Sequence, residues 1–175
     1  YTEGDLPKPV TLYGKQKLQI EKYIMDNISN YLIFRISRAV GSCFKEKDIF
    51  NEFYHKIIHQ EEIVCLKNQY FCLTEVDDIA KGIIGAIEKG LRGLYHLSSA
   101  NYISRYELAK LYADKIFGGY DNIIEKEYKE LSFVDGRHLY AGLKGEKLSA
   151  QLNFEYMDLH TILENYRISY QAMNT

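Results

Sequence analysis

The chain reads as an α/β protein built on a parallel sheet. Short apolar, β-branched runs alternate along it with longer stretches whose apolar residues recur at helical spacing. The clearest run, Tyr31-Leu32-Ile33-Phe34-Arg35-Ile36-Ser37-Arg38, is mostly apolar rather than alternating, as a strand covered on both faces requires. Helix-length stretches separate the strands, so the connections are crossovers and the strands they join run parallel.

Residues 1–12 read as an extended surface segment, because both prolines of the chain, Pro7 and Pro9, fall there. The spacing predicts a helix over 13–29, with Leu18, Ile20, Tyr23, Ile24 and Ile28 as its apolar positions and Asn27, Ser29 and Asn30 marking its end. The strand 31–38 follows, then a loop from Gly41 to Lys47. Asp48 is placed to cap a helix through His59. Strands are expected at 63–66 and 70–73. Thr74 is placed to cap a helix from Glu75 to Lys89, closed by Gly90, with a strand from Gly93 to Ser98 after it. Ser104 caps a helix through Phe117, and Arg105 at its start reads as a solvated charge. Residues 123–134 fit a strand or a short helix, Gly136–Gly142 a loop, and 144–152 and 157–172 helices.

At 175 residues the chain can bury one sizeable core. With 46% hydrophobic and 26% charged residues, disordered and fibrous classes are excluded. A net charge of -2 gives no drive toward nucleic acid or an anionic membrane. No apolar run approaches a bilayer span, and no basic segment precedes an apolar one at the start, so the expected compartment is the cytoplasm. Cys43, Cys65 and Cys72 lack metal-ligand spacing, which fits reduced thiols. His55 and His59, one turn apart without a supporting carboxylate or cysteine, read as surface or packing residues, and no metal is expected.

One stretch carries chemistry. In Tyr13-Gly14-Lys15-Gln16-Lys17 the tyrosine and the second lysine lie one helical turn apart, so their polar tips leave the same face. A phenol beside an ammonium can do proton chemistry that an isolated phenol does poorly at neutral pH. The spacing alone is not specific: Tyr106 to Lys110 and Tyr140 to Lys144 repeat it.

Context separates the first copy. Glu3, Asp5, Pro7 and Pro9 precede Tyr13, Gly14, Lys17 and Glu21; Arg35, Ser37 and Gly41 follow, then Val76-Asp77-Asp78-Ile79-Ala80 and Tyr95-His96-Leu97-Ser98. In this order the sequence resembles the extended short-chain dehydrogenase/reductase family, and within it the sugar-nucleotide ketoreductases of the dTDP-4-dehydrorhamnose reductase type. The resemblance implies the C-terminal part of a Rossmann-type parallel sheet domain plus a smaller α/β substrate-binding lobe. Residues 1–41 would close the dinucleotide-binding domain and 42–175 would form mainly the substrate lobe, with 74–98 returning to the former. The family's glycine-rich turn and the Ser or Thr partner of its tyrosine have no counterpart here, so the sequence is expected to be the C-terminal half of a longer reductase.

The resemblance further implies that Tyr13 protonates the carbonyl oxygen of a nucleotide-linked 4-keto sugar as hydride arrives from NADPH or NADH, while Lys17 holds the nicotinamide ribose. Ile36 and Ser37 would border the nicotinamide. Arg38 stands where relatives place a substrate-facing tryptophan or asparagine, and could grip a diphosphate bidentately; Arg137 matches a late phosphate-contacting arginine. Glu21 reads as structural. Val40 replaces an aromatic and would alter the pocket wall; Leu73 replaces a proline, and His138 replaces the proline after the late arginine. An epimerase or dehydratase on the same scaffold, or a non-catalytic member binding a protein partner, are the alternatives. A homodimer is a further expectation.

Overall fold

The computed structural model describes residues 1–44 and 48–173. In chain order the elements are α1 (Leu12–Asn27), β1 (Leu32–Arg35), β2 (Arg38–Val40), α2 (Ile49–Ile58), β3 (Ile63–Leu66), β4 (Tyr70–Glu75), α3 (Val76–Glu88), β5 (Gly93–His96), β6 (Tyr102–Ser104), α4 (Arg105–Phe117), β7 (Ile123–Lys126), β8 (Tyr140–Ala141), α5 (Glu146–Leu152) and α6 (Leu159–Met173). β1 pairs with β5, β2 with β4, β3 with β7 and β4 with β8, all parallel; β6 is antiparallel to β4. The α/β class with parallel pairing therefore holds, with one antiparallel strand added.

The run 31–38 is not one strand but two, and Ser37 gives the reason. Its hydroxyl donates to the Ala141 carbonyl at 2.6 Å and accepts from the Cys72 N–H at 3.1 Å. These bonds hold the chain over to a second sheet, so Leu32 to Arg35 stay paired with β5 while Arg38 to Val40 pair with β4. Strand 93–98 also stops early, at His96, because β1 ends opposite it at Arg35.

Caps explain most helix starts. Thr11 caps α1 by accepting from Gly14 N–H, Asp48 caps α2 through Phe50 and Asn51, and Ser104 forms a reciprocal box with Glu107 at α4. α3 departs from expectation: Glu75, not Thr74, is its cap, because the Thr74 hydroxyl is committed to the Ser99 N–H at 3.0 Å. Arg105 is not a solvated charge. Its guanidinium lies over the Phe53 ring and donates to Glu52 at 2.6 Å. In the ambiguous stretch 123–134, the strand is β7 and a single 3-10 turn, Tyr128–Glu130, follows it. Part of the expected loop Gly41–Lys47, residues 45–47, lies outside the described residues.

Two hydrophobic clusters organise the chain. The larger joins α2, α4 and α6 to β3, β4, β6 and β7 around Phe50, Phe53, Tyr112 and Tyr166. Phe50 stacks on Tyr112 at 5.4 Å and meets Tyr166 edge-on at 5.2 Å, and such pairs add about 0.5–1.5 kcal/mol beyond their buried area. Val40 is buried in this cluster, so it fills core rather than altering a pocket wall. Leu73 is buried there too, and its N–H bonds to the Asn101 carbonyl at 3.1 Å, a bond proline could not make. The smaller cluster holds Ala86, Tyr95, Leu97 and Leu148, flanked by Leu32 and Phe34 of β1 and Leu152 of α5. α1 contributes no buried residue; Leu12, Ile20 and Tyr23 stand exposed along it. Among the described residues β1 pairs on one edge alone.

Candidate active site

α1, β2 and the segment between β7 and β8 enclose a cavity of about 700 Å³. Tyr13, from the first turn of α1, lines it together with Ser37, Arg38 and Arg137. Four residues singled out in the sequence, from positions far apart along the chain, thus share one space. Ile36 does not line it; it lies in the two-residue break between β1 and β2 with 41% of its surface exposed.

Lys17 lines a second cavity of about 740 Å³, beside Glu21, Arg35 and His96. Helical geometry still brings it to Tyr13: Nζ sits 5.4 Å from the centre of the phenol ring. Tyr13 is 68% exposed, which leaves its hydroxyl free to meet a ligand. Glu21 is not free for chemistry. It accepts from Nε and Nη2 of Arg35 at 2.9 and 2.5 Å, and that pairing raises Arg35 above the ordinary guanidinium value.

The two arginines in the first cavity are prepared alike. Arg38 lies over the Phe71 ring and Arg137 over the Phe133 ring, each 5.2 Å from the ring centre. Among the described residues neither forms an ion pair with a carboxylate. Arg38 is exposed at its surface yet hemmed in at its base; desolvation first, then repulsion from Arg105 and more weakly from Arg137, pushes its pKa down, with Glu52 and Asp48 opposing. Two stacked guanidiniums that repel each other and lack an acid partner suit a dianionic group such as a diphosphate. No cluster of ligating side chains suited to a metal occurs among the described residues.

Sequence reasoning passed over two residues here. Asp135 lines the first cavity and reaches α1; the only signal was an Asp-Gly pair, which marks a turn and nothing more. His96 was noted only inside a strand. It is fully buried, lines the second cavity, and neither ring nitrogen makes a hydrogen bond of good geometry, the Lys144 backbone being the polar group that approaches it.

Parallel strands joined by helices define the class: a Rossmann-like α/β fold. The chain belongs to the RmlD substrate binding domain family, whose model matches residues 1–167. It is 30% identical over 121 residues to methionine adenosyltransferase 2 subunit beta of Rattus norvegicus, covering 65% of this chain and 36% of that protein. To dTDP-4-dehydrorhamnose reductase of Sinorhizobium fredii it is 28% identical over 139 residues, 74% of this chain and 44% of that one. The crystal structure of dTDP-4-dehydrorhamnose reductase from Bacillus anthracis in complex with NADP superposes with a TM-score of 0.83 at 23% identity, over 96% of this chain and 59% of that chain. The chain thus spans well under two thirds of the curated relatives it matches.

Proposed function

We propose that this chain is the C-terminal part of an NAD(P)-dependent reductase acting on a 4-keto nucleotide-linked deoxysugar, working in the cytoplasm. The observation that carries the reading is the shared cavity of Tyr13, Arg38 and Arg137, with the Lys17 ammonium over the tyrosine ring, in a chain of this family. The open edge of β1 and the bare apolar positions of α1 support a longer protein whose remaining part pairs with that edge and carries most contacts to the dinucleotide. The two clusters support a division of labour. β1, β5, α3 and α5 go with the dinucleotide-binding part and the larger cluster with the substrate lobe, the chain crossing between them at Ile36 and Ser37.

The residues present fit a nicotinamide cofactor: Lys17 is exposed, forms no ion pair among the described residues and stands at a ring-contact distance from Tyr13, the donor set a ribose diol needs. Lys17 would hold the ribose, and Ile36 and Ser37 would border the nicotinamide, Ser37 through its backbone because its hydroxyl is engaged. When bound, the cofactor supplies hydride. Tyr13 donates its phenolic proton to the carbonyl oxygen, acting as general acid. Arg38 and Arg137 grip the diphosphate and orient the sugar toward Tyr13, which converts binding into proximity.

The test is consumption of NAD(P)H by the full-length protein with a panel of nucleotide-linked 4-keto sugars. Stoichiometric oxidation supports the reductase; interconversion of sugars without net oxidation favours an epimerase. A second reading has its own observation. The similarity to methionine adenosyltransferase 2 subunit beta, a protein named as a subunit, favours a member that keeps the fold to bind a partner protein. Failure of every sugar in the panel, with a stable complex recovered at defined stoichiometry, supports that one.

A further inference from the structure

A hydrogen bond fastens the segment carrying Arg137 to the helix carrying Tyr13. Leu12, the first residue of α1, donates its N–H to Asp135 Oδ2 at 2.6 Å, and Gly136 donates its own to Asp135 Oδ1 at 2.8 Å. The Leu12 N–H is one of the donors that a helix start leaves without an internal partner, and a carboxylate there also meets the positive end of the helix dipole. Thr11 serves Gly14 N–H, so the two side chains divide the first turn between them. Both N–H groups, Leu12 first, hold the Asp135 carboxyl below its ordinary range, with Lys15 and Arg137 adding to the effect.

Gly136 makes the approach close. A β-carbon built there would stand 3.0 Å from the Val10 carbonyl oxygen, so the segment lies against the backbone leading into α1. Farther along, Tyr70 N–H bonds to the Leu139 carbonyl at 2.6 Å, fixing the segment's other end to β4. Arg137 is suspended between these two fastenings, and Val134, before the first, projects fully into solvent.

We propose that Asp135 is a positioning residue: by tying residues 131–139 to the first turn of α1, it sets the distance between an anion held by Arg137 and the hydroxyl of Tyr13. This rests on the reading of Tyr13 and Arg137 given above, although the tie itself can be measured without it. A segment released at Asp135 keeps Arg137 but loses its register with the phenol, so turnover should suffer as well as binding. A displacement of an ångström is enough for about a hundredfold loss of rate.

The experiment is residue-resolved amide hydrogen exchange on the full-length protein and its Asp135→Ala, Asp135→Asn and Gly136→Ala variants, with thermal midpoints as a check on folding. Asp135→Ala should speed exchange about tenfold or more at Leu12 and across 131–139 together. Asp135→Asn, whose amide oxygen can still accept from Leu12, should recover most of the protection, and Gly136→Ala should loosen the same two regions while leaving the carboxylate in place. Unchanged exchange at Leu12 in Asp135→Ala, or loosening spread over the whole chain, overturns the proposal. In the reductase assay Asp135→Ala should lower kcat and raise KM by about tenfold each, with partial rescue by asparagine. A rise in KM alone would mean that Asp135 only shapes binding and would overturn the positioning role. Absence of any reductase activity in the unaltered protein sinks the function proposed above, whereas the exchange result still decides the tie.

Discussion

Arg35 and Glu21 face each other across the junction of α1 and β1, the guanidinium donating two bonds to one carboxylate. Side-chain exposure is 22% for the arginine and 14% for the glutamate, so water replaces little of what either would lose. Glu21→Gln should lower stability by about 1.5–3 kcal/mol, the range for hydrogen bonds to charged groups. Urea denaturation checks this, and Glu21→Gln combined with Arg35→Met should be less destabilising than the sum of the two single changes.

Tyr13→Phe removes one hydroxyl from an exposed ring whose position is set by α1. In the full-length protein, turnover should fall by about 100- to 10,000-fold while cofactor affinity, measured calorimetrically, stays within a few-fold. Lys17→Ala should impair both. Wild-type turnover in Tyr13→Phe would remove the phenol from the mechanism.

Arg38→Ala should act mainly on KM, because a guanidinium gripping a diphosphate away from the reacting carbon serves ground state and transition state alike. A kcat that fell with KM unchanged would place Arg38 nearer the chemistry than its stacking on Phe71 suggests.

Ser37→Ala should cost stability rather than cofactor binding. The change leaves the Cys72 N–H and the Ala141 carbonyl without their partner, about 1–3 kcal/mol for a part-buried site. A thermal melt measures it, and an unchanged cofactor affinity in the same variant separates the hydroxyl from the nicotinamide.

His96 predicts a pH dependence. Burial chiefly, with help from Arg35 and opposed by Glu3, pushes its pKa below the ordinary imidazole value. The folded state therefore favours the neutral ring. Its contribution is present above the unfolded value of about 6.5 and is lost as pH falls through the depressed one. Urea midpoints should decline from pH 7 toward pH 5, and His96→Phe should flatten that decline.

How much was legible follows from where the signals lie. Asp48, Ser104 and Glu107 act on backbone within their own turn, so the starts of α2 and α4 could be read locally. Ser37 could not: its partners are Ala141 and Cys72, and no local pattern announces that a hydroxyl will divide an apolar run between two sheets. β6 was overlooked for a similar reason, being three residues long and defined by its pairing with β4. At the site, Tyr13 and Lys17 are helical neighbours and could be paired from spacing. Arg38 and Arg137 came in through resemblance, and Asp135 escaped because its partner Leu12 lies across the fold.

The parallel pairs have a kinetic consequence. Leu32 meets Gly93, Arg38 meets Leu73 and Ile63 meets Ile123, so none of these ladders can form until a long stretch of chain has returned. Closing such loops takes entropy before any contact repays it, and topologies of this kind fold slowly. While the chain waits, β1 offers a strand edge that no described strand covers, next to the bare apolar positions of α1, a combination that invites association with other unfinished chains. Yield of folded material should therefore improve when synthesis is slowed and the temperature lowered.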